Sequence, residues 1–480
     1  MNAPILKLFV LVLLLFGALA AMTSYNSVIK AEDYRDNALN KRPQIEQALV
    51  KRGVIRARDG SLLARSIKGD DDIYRRRYSP GALRFSHALG YDYALTIGRA
   101  GLERSQNDAL AGEDDELTSI VDDLSGKRDV GDNVITNLDP AAQQIALNAL
   151  GGRRGSVVAI EPATGKVRVM ASTPGYDPNA LRDGKVFSQL NRENASPLFN
   201  RATQAGYVPG STMKVVTAAA ALDSGKFTPE STVVGKSPIT VSGVPLKNFS
   251  DAQFGAITLT TALTNSVNTV WAQVAEKLGA DTYADYMERF GFGSDPPLDY
   301  PEAQLTPSGV FDVKEQKPIA VDSGRVDIGR VAIGQERLRV TPLQMATVVA
   351  TVANGGMRME PRITSRIVDA DGRTVKRIEP EEAERVMSEK SAAQLTQMMA
   401  NVVREGTGTA AALQGIEVAG KTGTAELNIP QRLNQPWFVG FAPRSNPKVA
   451  IAVTLENLVG AQGGTVAAPI AKQVMESLLR

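Results

Sequence analysis

The sequence predicts an α/β (α+β) fold: an antiparallel sheet flanked by helices, preceded by a small N-terminal domain and one apolar N-terminal helix. Three observations carry this expectation. Two hairpins of apolar strands lie far apart, at 156–171 and 437–455. Helical stretches fill the chain between them, which implies one sheet assembled from distant segments. Residues 5–22 are apolar except for Lys7, close to the roughly 20 residues that a bilayer-spanning helix needs.

The elements follow in order. The first apolar run is expected to remain as an uncleaved anchor over residues 6–24. Ala18-Leu19-Ala20 also fits a small-residue cleavage site, and either reading exports the chain that follows. The division expected is 1–29 as a stub and anchor, 30–150 as a non-catalytic domain, and 151–480 as the catalytic domain. Residues 52–64 alternate apolar positions about Asp59-Gly60, the pattern of a hairpin. The charge runs Asp70-Asp71-Asp72, Arg75-Arg76-Arg77 and Glu113-Asp114-Asp115-Glu116 read as solvated loops. Asp139-Pro140 opens a capped helix that ends near Leu150. From Gly151 the chain turns strongly apolar. The first hairpin closes through Glu161-Pro162-Ala163-Thr164-Gly165 and the last through residues 443–448. Helices are expected from Thr212, over 341–350 and over 467–479.

Composition excludes more than it proposes. The 480 residues include one His and no Cys, and the formal net charge is +2. Cysteine nucleophiles, thiolate metal sites and disulfides are ruled out by count, as is a zinc site built on histidines. A Ser-His-Asp triad would have to use His87, which reads as a surface or packing residue. Covalent catalysis in this chain would therefore be lysine-assisted. The balanced charge does not indicate a nucleic-acid binder.

Pro209-Gly210-Ser211-Thr212-Met213-Lys214 places a serine at a helix start with a lysine one turn on. A serine hydroxyl needs a base, and a lysine held neutral by burial and nearby cations supplies one. Ser-x-x-Lys also occurs at Ser27/Lys30 and Ser445/Lys448, so the motif alone selects nothing. Ser266-Val267-Asn268 reads as a turn between two helices. In Lys421-Thr422-Gly423-Thr424, Gly423 permits close approach of a substrate backbone and Lys421 offers a fixed positive charge. The strand edge there could take an extended peptide ending in a carboxylate. The three motifs in this order form the three-part signature of β-lactamases and penicillin-binding proteins.

On these motifs the chain resembles the penicillin-binding protein transpeptidases over nearly its whole length. Gly334-Gln335 with the helix at 341–346, and Trp437-Phe438-Val439-Gly440-Phe441, add to the likeness. Arg52-Gly53-Val54-Ile55, Arg58-Asp59-Gly60 and Gly101-Leu102-Glu103-Arg104 resemble class B, monofunctional members, with a short pedestal like that of the actinobacterial penicillin-binding protein A group. The resemblance implies a D,D-transpeptidase that cross-links stem peptides and is acylated by β-lactams, with no cofactor and no metal. It implies Ser211 as nucleophile, Lys214 as base, Ser266 as proton relay supported by Lys421 and Lys214, and Asn268 on the substrate backbone. Ser211 and Thr424 N–H groups would form the oxyanion hole. Lys421, Thr422 and Thr424, beside Gly423, would hold the terminal carboxylate. A membrane-embedded glycan polymerase is the implied partner, with the catalytic domain on the extracytoplasmic face.

A hydrolytic β-lactamase or D,D-carboxypeptidase, and a non-catalytic β-lactam-binding scaffold or sensor, are the rival expectations. Between Asn268 and Lys421 there is no Glu-x-x-Leu-Asn segment of the kind that class A β-lactamases carry. N-terminal sequencing of the protein extracted from membranes tests the anchor. An intact N-terminus is expected, and a mature chain beginning at Ala21 would contradict it.

Overall fold

A computed structural model describes the chain except for residues 1–2, 31–33, 35–41, 113–129, 313 and 315–316. The acidic run at 113–116 lies outside the described residues. The N-terminal helix Ala3–Ser24 runs on through Tyr25–Ile29, buries no residue, and its most apolar 18-residue stretch has a mean hydropathy of 2.7. Its length and composition make it a candidate membrane span.

The two distant hairpins do share one sheet. Its order is Ala419–Asn428, Leu433–Ala442, Val449–Leu455, Gly155–Ile160 and Val167–Thr173, antiparallel throughout. The two hairpins meet where Ala450 pairs with Ile160 and Leu455 with Gly155. Every residue of Val449–Leu455 is buried, because both faces are covered. Strand alternation sorts the side chains. Val157, Ala159, Ile451 and Val453 enter one cluster with Ala142, Ala146 and Leu150 and with Ile470, Ala471 and Val474. Val158, Ile160, Ala450 and Ala452 enter the other, with Val215, Val216, Leu343 and Met345. The helices Pro140–Leu150 and Ala468–Leu479 thus cover one face, and Lys214–Asp223 and Pro342–Ala353 the other.

The helix starts are those that capping dictates. Asp139 accepts N–H bonds from Ala141 and Ala142, and Thr341 accepts one from Gln344, each with proline at the next position. One expected start differs. The helix read from Thr212 begins as a 3-10 turn, Gly210–Met213, and becomes α-helical at Lys214.

The N-terminal hairpin forms between Ile55–Arg56 and Leu62–Lys68. It belongs to a six-stranded sheet, and that sheet crosses the boundary expected at 150/151. Asn133–Thr136 pairs with Ile55–Arg56 on one side and with Thr364–Val368 on the other, and Thr374–Arg377 adds the outer strand. Conversely, Pro140–Leu150, placed by sequence in the first domain, covers the sheet of the second. The division by residue number is therefore not a division of the packing.

The run Arg75-Arg76-Arg77 is not a solvated loop. It lies in strand Tyr74–Tyr78, and alternation turns Arg76 inward while Arg77 stays exposed. Arg76 Nε donates to Glu103 Oε1 at 2.6 Å, and Arg52 Nε lies 3.1 Å from Glu103 Oε2. The Tyr78 hydroxyl donates to Glu103 Oε1 at 3.2 Å, and Arg52 Nη2 donates to the Glu103 carbonyl at 2.6 Å. Glu103 is fully buried, so this one carboxylate compensates two buried guanidinium groups. Removing one partner of a buried ion pair strands the other charge. Glu103→Gln is expected to lower unfolding stability by about 3–5 kcal/mol, measured by urea denaturation. A loss below about 1 kcal/mol, the range of exposed pairs, would contradict this reading.

Candidate active site

Ser211 sits half-buried in the 3-10 turn, and the turn is fixed from three sides. The Gly210 N–H donates to the Gly334 carbonyl at 3.0 Å. Gly334 has φ +74°, and a Cβ there would lie 1.9 Å from Gly210 O, so this contact admits only glycine. Trp437 Nε1 donates to the Val208 carbonyl at 3.0 Å, tying the turn to the sheet. Thr212 Oγ1 closes the turn on the Pro209 carbonyl at 2.8 Å. The edge strand abuts it as well: a Cβ on Gly423 would come within 2.8 Å of Pro209 O and 2.9 Å of Thr212 Cγ2.

Ser266 occupies the expected turn between Leu259–Thr264 and Asn268–Leu278. Its φ is +57°, uncommon for a residue with a side chain. The strained turn points its carbonyl and its hydroxyl at the same amine. Lys214 Nζ donates to Ser266 O at 2.7 Å and to Asn268 Oδ1 at 2.7 Å, and lies 3.3 Å from Ser266 Oγ. Asn268 Nδ2 donates to the Lys247 carbonyl at 2.9 Å, which fixes the amide with its oxygen toward the lysine. Lys421 Nζ donates to Ser266 Oγ at 2.9 Å and to Thr422 O at 3.0 Å.

Lys214 and Lys421 are both fully buried. Burial holds the Lys214 pKa well below the ordinary lysine value, and the neighbouring Lys421 ammonium lowers it further. Burial lowers Lys421 to about 7. Among the described residues no carboxylate stands within ion-pair distance of either. The expected fixed charge on Lys421 is therefore corrected to one that titrates near neutrality. A neutral Lys214 has two N–H groups, and two short acceptors, Ser266 O and Asn268 Oδ1, can take them. Its lone pair is then left for a hydroxyl proton.

Lys214, Ser266, Asn268 and Lys421 thus converge from three segments of chain, with Ser211 in the turn that leads into Lys214. Thr422 and Thr424 do not face the same way. Alternation puts Lys421 and Gly423 on the side of the nucleophile turn. The Thr422 hydroxyl meets Thr407 Oγ1 at 2.6 Å, and Thr424 Oγ1 accepts the Gly463 N–H at 3.1 Å. Thr407 and Lys247 are the neighbours that sequence reasoning missed. Neither lies in a recognisable motif, and only the fold brings them close. The other Ser-x-x-Lys matches lie elsewhere: Ser27 in the N-terminal helix, Ser445 in the loop before Val449. His87 is a packing residue, as expected. Its Nε2–H donates to the Pro197 carbonyl at 2.8 Å, and burial lowers its pKa to about 4.

Residues 155–476 match the family model of the penicillin-binding protein transpeptidase domain, and residues 52–134 that of the penicillin-binding protein A dimerisation domain. Along 100% of its length the chain is 33% identical to the peptidoglycan D,D-transpeptidase PbpA of Mycolicibacterium smegmatis, covering 99% of that protein. Its fold is similar to that of penicillin-binding protein A from M. tuberculosis solved as a ceftriaxone acyl-enzyme. The TM-score is 0.81 at 32% identity, over 91% of this chain and 100% of that one. The penicillin G acyl-enzyme of the same protein gives 0.79 at 33%, over 90% and 100%. With the sheet, the lysine-flanked serine turn and both domain models in agreement, the chain belongs to the penicillin-binding protein transpeptidase family.

Proposed function

We propose that this protein is a peptidoglycan D,D-transpeptidase of cell wall synthesis, working through a serine acyl-enzyme and acylated by β-lactams. The observation that carries the reading is the pair of buried lysines flanking Ser266 beside a half-buried Ser211. Ser211 attacks the carbonyl between the two terminal D-alanines of a stem peptide. Lys214, neutral, takes its proton, being one helical turn away with its lone pair unspent. Ser266, accepting from Lys421, passes a proton to the departing D-alanine amine. Asn268 holds the substrate backbone. The Ser211 and Thr424 N–H groups stabilise the oxyanion, a contribution of about 3–4 kcal/mol per donor. The hydroxyls of Thr422 and Thr424, on the strand face opposite Lys421, bind the terminal carboxylate, with Lys421 supplying positive charge from the other face. Gly423 lets the nucleophile turn pack against the strand that takes the peptide. An amine from a neighbouring stem peptide then resolves the ester and forms the cross-link.

The relatives' names support transfer over hydrolysis, and so does the missing Glu-x-x-Leu-Asn segment. By chain order we assign residues 1–29 to the cytoplasmic stub and anchor, 30–150 to the pedestal and 151–480 to the transpeptidase, although the pedestal's sheet takes in strands at 364–377. The catalytic domain then lies on the extracytoplasmic face, with a membrane-embedded glycan polymerase as the source of strands.

Ser211→Ala is expected to abolish covalent labelling by penicillin while leaving thermal unfolding within a few degrees of the parent. The parent adduct is expected to map to Ser211 by mass spectrometry and to persist for many minutes. An adduct on Ser27 or Ser445 would overturn the assignment of the nucleophile. Rapid loss of the adduct with multiple turnovers of penicillin would move the protein to the β-lactamase reading.

A further inference from the structure

Thr422 and Thr424 share one face of the edge strand Ala419–Asn428, and each hydroxyl already has a protein partner. A threonine hydroxyl has one proton to give and two lone pairs with which to accept. Thr424 Oγ1 accepts the Gly463 N–H at 3.1 Å. A backbone amide can only donate, so this bond leaves the Thr424 proton free for another acceptor. Thr422 Oγ1 lies 2.6 Å from Thr407 Oγ1, and among the described residues this is the only hydrogen bond of either hydroxyl. Either hydroxyl can donate in that pair. The Thr422 proton is therefore committed or free according to which one does.

Backbone contacts hold Thr407 in place. It lies in the loop after the helix Glu389–Arg404, and its N–H donates to the Thr264 carbonyl at 3.3 Å. A Cβ on Gly406 would lie 2.4 Å from that same carbonyl oxygen, and one on Gly464 would lie 2.4 Å from the Thr407 carbonyl oxygen. The loop is thus pressed between the end of Leu259–Thr264, which leads into Ser266, and the segment that supplies Gly463. Its fixed place sets the Thr407 hydroxyl against Thr422.

A bound carboxylate removes the ambiguity in the pair. An ionised carboxylate only accepts, so Thr422 must donate to it, and Thr407 must then donate to Thr422. Hydrogen bonds aligned in one direction polarise and strengthen one another. We propose that Thr407 is a positioning residue for the substrate carboxylate. Its hydroxyl donates to Thr422 Oγ1 and turns the Thr422 proton toward the ligand, as the Gly463 N–H does for Thr424. This role rests on the reading that the hydroxyls of Thr422 and Thr424 bind the terminal carboxylate.

The test compares second-order rate constants for acylation of the full-length protein by penicillin G and by its neutral methyl ester. Thr407→Val keeps nearly the shape of the side chain and removes its proton, whereas Thr407→Ser keeps the proton. Thr407 is exposed, so neither change opens a cavity in the core. Thr407→Val is expected to slow penicillin G about fivefold, the worth of one ordinary hydrogen bond, and the ester by less than about twofold. Thr407→Ser is expected to restore the parent rate. Thr422→Val is the reference: alone it slows the acid more than the ester. Adding Thr407→Val to it is expected to cost nothing more, because Thr407 acts through Thr422. If Thr422→Val behaves so, any of four results overturns the role of Thr407 and leaves the carboxylate reading standing. These are a parent-like rate in Thr407→Val, equal slowing of acid and ester, no rescue by serine, or a further loss in the double variant. If Thr422→Val slows acid and ester alike, the carboxylate reading falls and the proposal falls with it.

Discussion

One hydroxyl between two buried amines organises this molecule. Ser266 Oγ lies 2.9 Å from Lys421 Nζ and 3.3 Å from Lys214 Nζ, and no carboxylate among the described residues compensates either. Desolvating an ammonium costs several kcal/mol, and a second one nearby adds repulsion. The cheaper state sheds a proton, and the group that sheds it becomes a base at neutral pH. The chemistry follows from burial, which in turn requires that three elements of unrelated sequence position meet within hydrogen-bond distance.

That requirement explains the fold's tight contacts. Lys214 rides on a helix packed inside one face of the sheet, and Lys421 on the sheet's edge strand. Ser266 sits in a turn whose positive φ costs energy. Gly334 and Gly423 let backbone approach where a methyl group would collide, which pulls the nucleophile turn against both the sheet edge and the loop before residue 341. The sheet that carries these elements is closed by pairing residues 155–160 with 449–455, so the site exists only once the chain's distant parts have joined. The N-terminal domain is knitted in the same way, since strands at 364–377 complete its sheet.

Much of this was legible in the sequence because the signals were local or ordered. Alternation and turn chemistry gave both hairpins of the main sheet, and Asp139 and Thr341 announced their helices by capping. Lys214, Ser266, Asn268 and Lys421, which the fold brings together, were singled out because three weak motifs occur in a fixed order. What could not be read depends on neighbours far along the chain. Thr407 meets Thr422 only through the fold. The strands at 364–377 are short, and one is exposed at all four residues, so no apolar pattern marks them. Arg76 was taken for a solvated residue because three consecutive arginines conceal a two-residue period. Its burial becomes intelligible only once Glu103 is placed beside it. The charge of Lys421 was misjudged for the same reason, since sequence carries no information about depth.

The pH dependence of acylation by penicillin tests the central claim most directly. If Lys214 is the base and is neutral at physiological pH, the base limb of the rate profile must finish well below the ordinary lysine pKa of about 10.4. The rate constant is predicted to have left its steep limb before the ordinary lysine range is reached, because burial and the neighbouring Lys421 both hold Lys214 low. A rate still climbing about tenfold per pH unit between 9 and 10 would mean that the lysine is charged at neutral pH, and would contradict the account.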